Sequence, residues 1–432
     1  MFIDVYGDTL CALVSAAALA STGHNVTMRV PKGPAATTLA RGGCPFREPG
    51  LAEMIAEQTT AGRFKLARVD EPVDDKTSVV WLALSPNDID IAYEAIAALP
   101  SGPERSWLLI NQSTFQVGTT EALQKALREL PGAETAQRAA VSVPDLLTEG
   151  SGLQSFTQAL QWLVGCDSDW AQRMTAEILR PFNRRVDRMM FMLPREAEFT
   201  KLAITGMLAT RLSFMNDMAN LADMLDVDIE RVRRGMGADK RIGEGYLYPG
   251  CGFGGLSFSR DVMSLASTLQ LSGIQAQLLD QVLRINERQK ESLFRKLWRY
   301  YGTDLRGRKI AIWGVAFKPE TARIDNAPAL RLIEALWAQG VQVHVHDPRA
   351  MPALAEWAGG AREDLVLHQD PYAAVVDVDA LMLVTEWKAY WSPDFTHVKA
   401  SMRHPLLLDG RNVWDPEYMK QIGFEYYGIG RR

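Results

Sequence analysis

Residues 249–261 read PGCGFGGLSFSRD, four glycines and two aromatics closing on the pair Arg260–Asp261. Glycine at that density lets backbone approach a ligand closely. Cys251 and Ser257 are the residues there that do covalent chemistry. A serine hydroxyl needs a positioned base to become a nucleophile, and no histidine lies near Ser257 in sequence. A thiol already carries a few per cent thiolate at neutral pH. Cys251 stands upstream by an extended-chain distance of up to about 20 Å, so it replaces residue 257 only if the loop folds back. Its plainer reading is a small buried residue.

The elements that must position this loop follow from the pattern of the rest of the chain. FIDVY is a strand ended by Gly7, residues 10–22 are an Ala-rich helix, and HNVTMRV is the next strand. Further strands are expected at 78–84, 106–113 and 139–144, with helical segments between them. From Phe199 through Leu202, Ala203, Met207, Phe214, Met218 and Leu221 to Leu225 apolar residues recur at helical spacing, and 262–300 reads as a second long helix. At 308 the alternation restarts: RKIAIWGVAF, a helix over PALRLIEALWAQG, then VQVHVHDP, DALMLVTEW and LLLDGR. The expected fold is α/β: two Rossmann-like doubly wound domains (1–195 and 301–432) joined by a central helical domain (196–300) that serves dimerisation.

Composition sets limits. The 432 residues carry a net charge of −5, which gives no electrostatic case for nucleic acid or an anionic membrane. Four cysteines without a CxxC pattern point to a reducing compartment. The six histidines show no metal-ligand spacing, so no metal is expected. LCALVSAAALA (10–20) lacks a basic leader and is too short to span a bilayer, which makes it a buried helix of a cytoplasmic protein.

A dinucleotide turn needs three small residues, and the stretch here is Gly7-Asp8-Thr9-Leu10-Cys11-Ala12. Gly7 and Ala12 satisfy the first and third positions. Thr9 is β-branched where the pyrophosphate must come close, and Asp8 adds negative charge. The acidic residue expected after the second strand is replaced by Arg29-Val30-Pro31-Lys32. Two readings stay open: an altered site in which Arg29 and Lys32 pair with a 2′-phosphate, or a fold kept after its cofactor was lost.

A series of motifs runs along nearly the whole chain: GHNVT (23–27), EPGL (48–51), Ser113-Thr114 with VGT (117–119), PDLLTEG (144–150), EFTKLAITGMLAT (198–210), MGADKRIG (236–243), YPGCGFGG (248–255), WGVAFKPET (313–321), TEW (385–387), DGRNVWDP (409–416) and GFEYYGIG (423–430). Through them the chain resembles the UDP-glucose/GDP-mannose dehydrogenases. The resemblance implies an NAD-linked oxidation of a sugar C6 alcohol, first to an aldehyde trapped by a cysteine thiolate, then to a thioester that water releases as a uronate. The family's cysteine lies in GGSCFPKD-like text, so Ser257 stands at the nucleophile position and Ser259 at the proline. By resemblance the other catalytic positions are Lys201, Asp261, Thr114, Glu149 and Asp145, the last one methylene shorter than a glutamate. Thr205 stands for an asparagine, one turn after Lys201. Cofactor positions are Gly7, Thr9, Ala12, Ser85, Thr114 and Arg260. Nucleotide-sugar positions are Lys201, Arg241, Tyr246, Leu247, Tyr248, Pro249, Gly250, Phe253, Gly254, Lys318 and Arg411.

Departures gather on the nicotinamide side and at the nucleophile. Gln112 replaces a lysine, Val143 an asparagine, and Ala322-Arg323-Ile324-Asp325-Asn326-Ala327 replaces an acidic pair followed by Arg-Glu-Ser. The expectation is a homodimer that binds a UDP-sugar (UDP-glucose or UDP-glucuronate) with impaired or lost oxidation, beside an active paralogue. NAD binding is in doubt. The alternative is an active oxidoreductase with non-cysteine chemistry, using NAD or NADP.

Overall fold

The computed structural model describes residues 1–100, 102, 105–132, 136–184 and 186–432. It divides into two compact units, Met1–Ala203 and Ile204–Arg432.

The first unit is built on one sheet. Its strands are β1 (Phe2–Tyr6), β2 (Asn25–Val30), β3 (Phe64–Arg68), β4 (Val79–Leu82), β5 (Trp107–Asn111), β6 (Arg138–Ser142), β7 (Trp162–Gly165) and β8 (Met189–Met192), in the order β3-β2-β1-β4-β5-β6-β7-β8. All neighbours run parallel except β6 and β7. Parallel strands covered on both faces must be apolar throughout, and β4 and β5 (VVWL and WLLIN) are buried at every position. Helix α1 (Leu10–Ser21) is alanine-rich and buried from Cys11 to Ala20, which lets it lie close against the sheet. Strand order reverses beside β1, so the crevice at the carboxyl ends of β1 and β4 is the expected ligand site of this unit.

The second unit repeats the plan. Strands β9 (Lys309–Trp313), β10 (Gln342–His346), β11 (Leu365–Leu367), β12 (Ala380–Leu383), β13 (Leu406–Asp409) and β14 (Glu425–Tyr427) form an all-parallel sheet ordered β11-β10-β9-β12-β13-β14. Gly7 and Gly314 end the two first strands with φ of 136° and 87°. A Cβ at Gly7 would lie 2.4 Å from the Ala83 carbonyl oxygen, and one at Gly314 would lie 2.5 Å from Thr385 Cβ. Each turn is thus closed tightly against the neighbouring strand end, and only glycine fits.

Helix α2 (Pro194–Leu225) carries the long apolar periodicity read from the sequence. The single helix expected over 262–300 is instead three: α4 (Leu256–Leu271), α5 (Gln277–Gln289) and α6 (Ser292–Tyr300), preceded by α3 (Ile229–Ala238). Gly273, at φ 76°, ends α4 in the left-handed conformation while the apolar spacing runs on through the break. Among the described residues no helix is long and apolar enough to cross a membrane, and no group of three or more His, Cys, Asp or Glu is arranged to hold a metal ion.

Candidate functional site

In the first unit the predicted residues converge on the carboxyl ends of the central strands. Gly7 and Thr9 follow β1, Ser85 follows β4, Thr114 follows β5, and Asp145 and Glu149 follow β6. Cys11 ties the neighbourhood together. Its thiol is pushed well above its usual pKa by burial and then by the facing Asp145 carboxylate, while the Lys201 cation acts in the opposite sense. The Asp145 carboxylate also accepts from the Leu147 amide at 2.8 Å. The loop holding Glu149 is anchored by Glu48, which is buried and accepts from the Gly150 and Gly152 amides at 2.7 and 2.5 Å. Neither Cys11 nor Glu48 was assigned a site role from sequence; Glu48 was visible only as part of EPGL.

The departures here are absorbed into the fold. Gln112 is buried and accepts from Ser15 Oγ (2.6 Å) and Trp81 Nε1 (2.7 Å). Arg29 is 2% exposed, bonds Asp4 at 2.5 Å, and donates to the carbonyls of Arg68, Glu71 and Pro72. It therefore does not reach a ribose phosphate, which corrects that part of the altered-cofactor reading. Of the two basic residues only Lys32 stands exposed at the strand end.

In the second unit the glycine loop lies along the carboxyl ends of β12 and β13. The Gly250 amide donates to Asn216 Oδ1 (2.9 Å), and Gln289 Nε2 donates to the Gly250 carbonyl (2.8 Å). The Cys251 amide donates to the Gly410 carbonyl (2.9 Å). Arg411 Nε donates to the Val384 carbonyl at 2.8 Å and its Nη1 to the Gly252 carbonyl at 3.3 Å, with Glu386 3.2 Å away. Asn286 clamps Phe253 from both sides, accepting from its amide (2.8 Å) and donating to its carbonyl (3.0 Å). Phe253 packs edge-on against Phe258, 5.1 Å between centroids. Gly254 is obligatory, since a Cβ there would lie 2.6 Å from the Asn326 carbonyl oxygen.

Ser257 is exposed, the second residue of α4. Asp261, one turn on, is 2% exposed, and Arg260 Nη2 is 3.7 Å from it. Cys251 is 1% exposed, its thiol 3.7 Å from the Val384 carbonyl and its pKa raised by burial. It is a core residue, not a replacement nucleophile. Leu247, Pro249 and Gly250 are buried, while Tyr246 and Tyr248 are exposed, the latter under the Arg233 guanidinium at 4.5 Å. Lys318 is half-buried, 5.6 Å from the Phe317 ring centroid. Arg241 is 88% exposed on the turn after α3 and forks onto Asp239 at 2.6 Å.

Models of three consecutive domains match this chain: an NAD binding domain over residues 1–183, a central domain over 195–288 and a UDP binding domain over 311–416, all of the UDP-glucose/GDP-mannose dehydrogenase family. The chain belongs to that family. The UDP-glucose 6-dehydrogenase of Pseudomonas aeruginosa is 40% identical over 100% of this chain and 98% of its own length. That of Rhizobium meliloti is 31% identical over the whole of both. The fold matches a UDP-glucose dehydrogenase of Pyrobaculum islandicum with a TM-score of 0.88 at 26% identity, covering 100% of this chain and 98% of that one.

Family membership brings NAD as the implied cofactor, and the dinucleotide turn tests the fit. Thr9 caps α1: its hydroxyl accepts from the Ala12 amide (3.1 Å) and donates to the Ala83 carbonyl (2.7 Å). One of the helix N–H groups that would serve a pyrophosphate is thus already bonded. Asp8 has its pKa raised by burial and further by the nearby Asp88 carboxylate. A carboxylate at Asp8, one residue before the cap of α1, opposes an anion at that helix N-terminus. Thr9 and Asp8 are thus the two residues of this turn that depart from a pyrophosphate cradle.

Proposed function

We propose that this dehydrogenase-family protein binds a UDP-sugar, UDP-glucose or UDP-glucuronate, and has impaired or lost NAD-dependent oxidation of the sugar C6 alcohol. The observation that carries this reading is Ser257 in the first turn of α4. A helix N-terminus acidifies a thiol toward neutrality, but a hydroxyl needs a base. The cap that Thr9 places on α1 supports the same conclusion from the cofactor side. Beside the glycine loop, Lys318 and Arg411 are cations of the type that suits a nucleotide pyrophosphate.

With UDP-glucose and NAD at millimolar concentration, NADH formation is expected to stay at background. Sustained formation with release of uronate would overturn the reading in favour of a working oxidoreductase with non-cysteine chemistry. The expected role is that of a binding or partner subunit beside an active paralogue.

The protein is further proposed to be a homodimer through α2. Phe199, Met207, Phe214 and Leu221 are each 46–61% exposed along that helix. An exposed apolar stripe of this length marks an interface. Sedimentation should give twice the 48.0 kDa chain mass, and Phe214→Glu should shift it toward the monomer. A monomeric parent protein would contradict the assignment.

A further inference from the structure

The first turn of α4 is held by a side-chain lock. Ser259 is the first residue whose amide enters the helical ladder, donating to the Gly255 carbonyl at 3.3 Å. That is the position where a proline ceases to be tolerated, because earlier helix amides have no partner to lose. The family text that this stretch resembles has proline there, which would forfeit this bond; serine keeps it. The Ser259 hydroxyl accepts from Asn326 Nδ2 at 2.9 Å. Asn326 Oδ1 accepts from Lys290 Nζ at 2.6 Å, and that lysine side chain is wholly buried and also donates to Glu287 Oε1 at 2.7 Å. Backbone completes the joint: the Gly255 amide donates to the Asp325 carbonyl at 2.8 Å. Asn326 itself sits at φ 52°, a conformation asparagine tolerates better than most residues.

We infer that Asn326, braced by Lys290, is the positioning residue of the Ser257 turn. It bolts the start of α4 and the glycine loop to the segment that carries Lys318. Ser259 and Asn326 both depart from the resembled text, and they meet each other. The ligand of this loop rests on the functional reading above; the positioning does not.

A reporter thiol tests it. In a Ser257→Cys background, alkylation measured against pH should give a midpoint below the ordinary thiol value of about 8.5. Adding Asn326→Gly removes the side chain while keeping a residue at ease with φ 52°. That change should raise the midpoint and slow alkylation at neutral pH by about two- to fivefold. Asn326→Asp, which still accepts from Lys290 and from the Ser259 hydroxyl, should restore the parent rate. Ser259→Ala should act in the same direction as Asn326→Gly and carries the test if the glycine variant does not fold. Unchanged midpoints in folded Asn326→Gly and Ser259→Ala proteins would overturn the inference, even with a lowered melting temperature. The readout uses no ligand, so a parent protein that binds no UDP-glucose would refute the functional reading and leave this one standing.

Discussion

Arg29→Met should lower the unfolding free energy by about 3–5 kcal/mol, the usual cost of leaving one partner of a buried ion pair alone. Arg29 and Asp4 are each 2% exposed at the side chain, and Arg29 also serves three carbonyl oxygens of the 68–72 segment. The pH dependence has a definite sign. Burial raises the Asp4 pKa above its usual value in the folded state, while Arg29 and Thr77 pull it down. A carboxyl raised on folding costs stability as pH climbs from its unfolded pKa through its folded one. Without Arg29 the rise is larger, so the deficit of the variant should be greatest at neutral pH. It should shrink as the pH falls toward the ordinary carboxylate range. Denaturant melts of both proteins across that range check it, and a pH-independent deficit would mean that packing, not charge, is lost.

Restoring the two changed positions together should have the largest effect on activity. Thr9→Gly frees the Ala12 amide and removes a side chain from the pyrophosphate approach, at little cost to the helix cap because glycine caps well. NAD should bind about 10- to 100-fold tighter, the value of one hydrogen bond to a charged group. Ser257→Cys supplies the thiol at a helix N-terminus. Residues that act as a unit give non-additive effects. Each single variant should therefore form little uronate, and the double variant should form it measurably from UDP-glucose and NAD. Activity in Ser257→Cys alone would show that Thr9 does not obstruct the cofactor. Silence in the double variant despite tight NAD would place the remaining defect at Asp145 or in the 322–327 run.

Much of the fold was legible because fully buried parallel strands read as apolar runs: FIDVY, SVVWLAL and SWLLINQS fall on β1, β4 and β5. Strand β3, FKLAR, is an edge strand with exposed charges and lacks that signature. The α4–α5 break was hidden because helical periodicity continues across Gly273. At the site, residue types and motif spacing located the glycine loop, but long-range partners decided their roles. Arg29 looked available at the end of a strand; its partner Asp4 lies on the neighbouring strand β1, which local sequence cannot reveal. Ser257 looked like a loop residue, and the helix that holds it depends on Asn326 and Lys290, far along the chain.

Calorimetric titration of the protein with UDP-glucose and, separately, with NAD tests the central claim most directly. UDP-glucose should bind and NAD should give no resolvable isotherm at millimolar concentration, leaving a sugar-nucleotide binder whose dehydrogenase half is silent. Saturable binding of NAD at micromolar concentration would contradict that account.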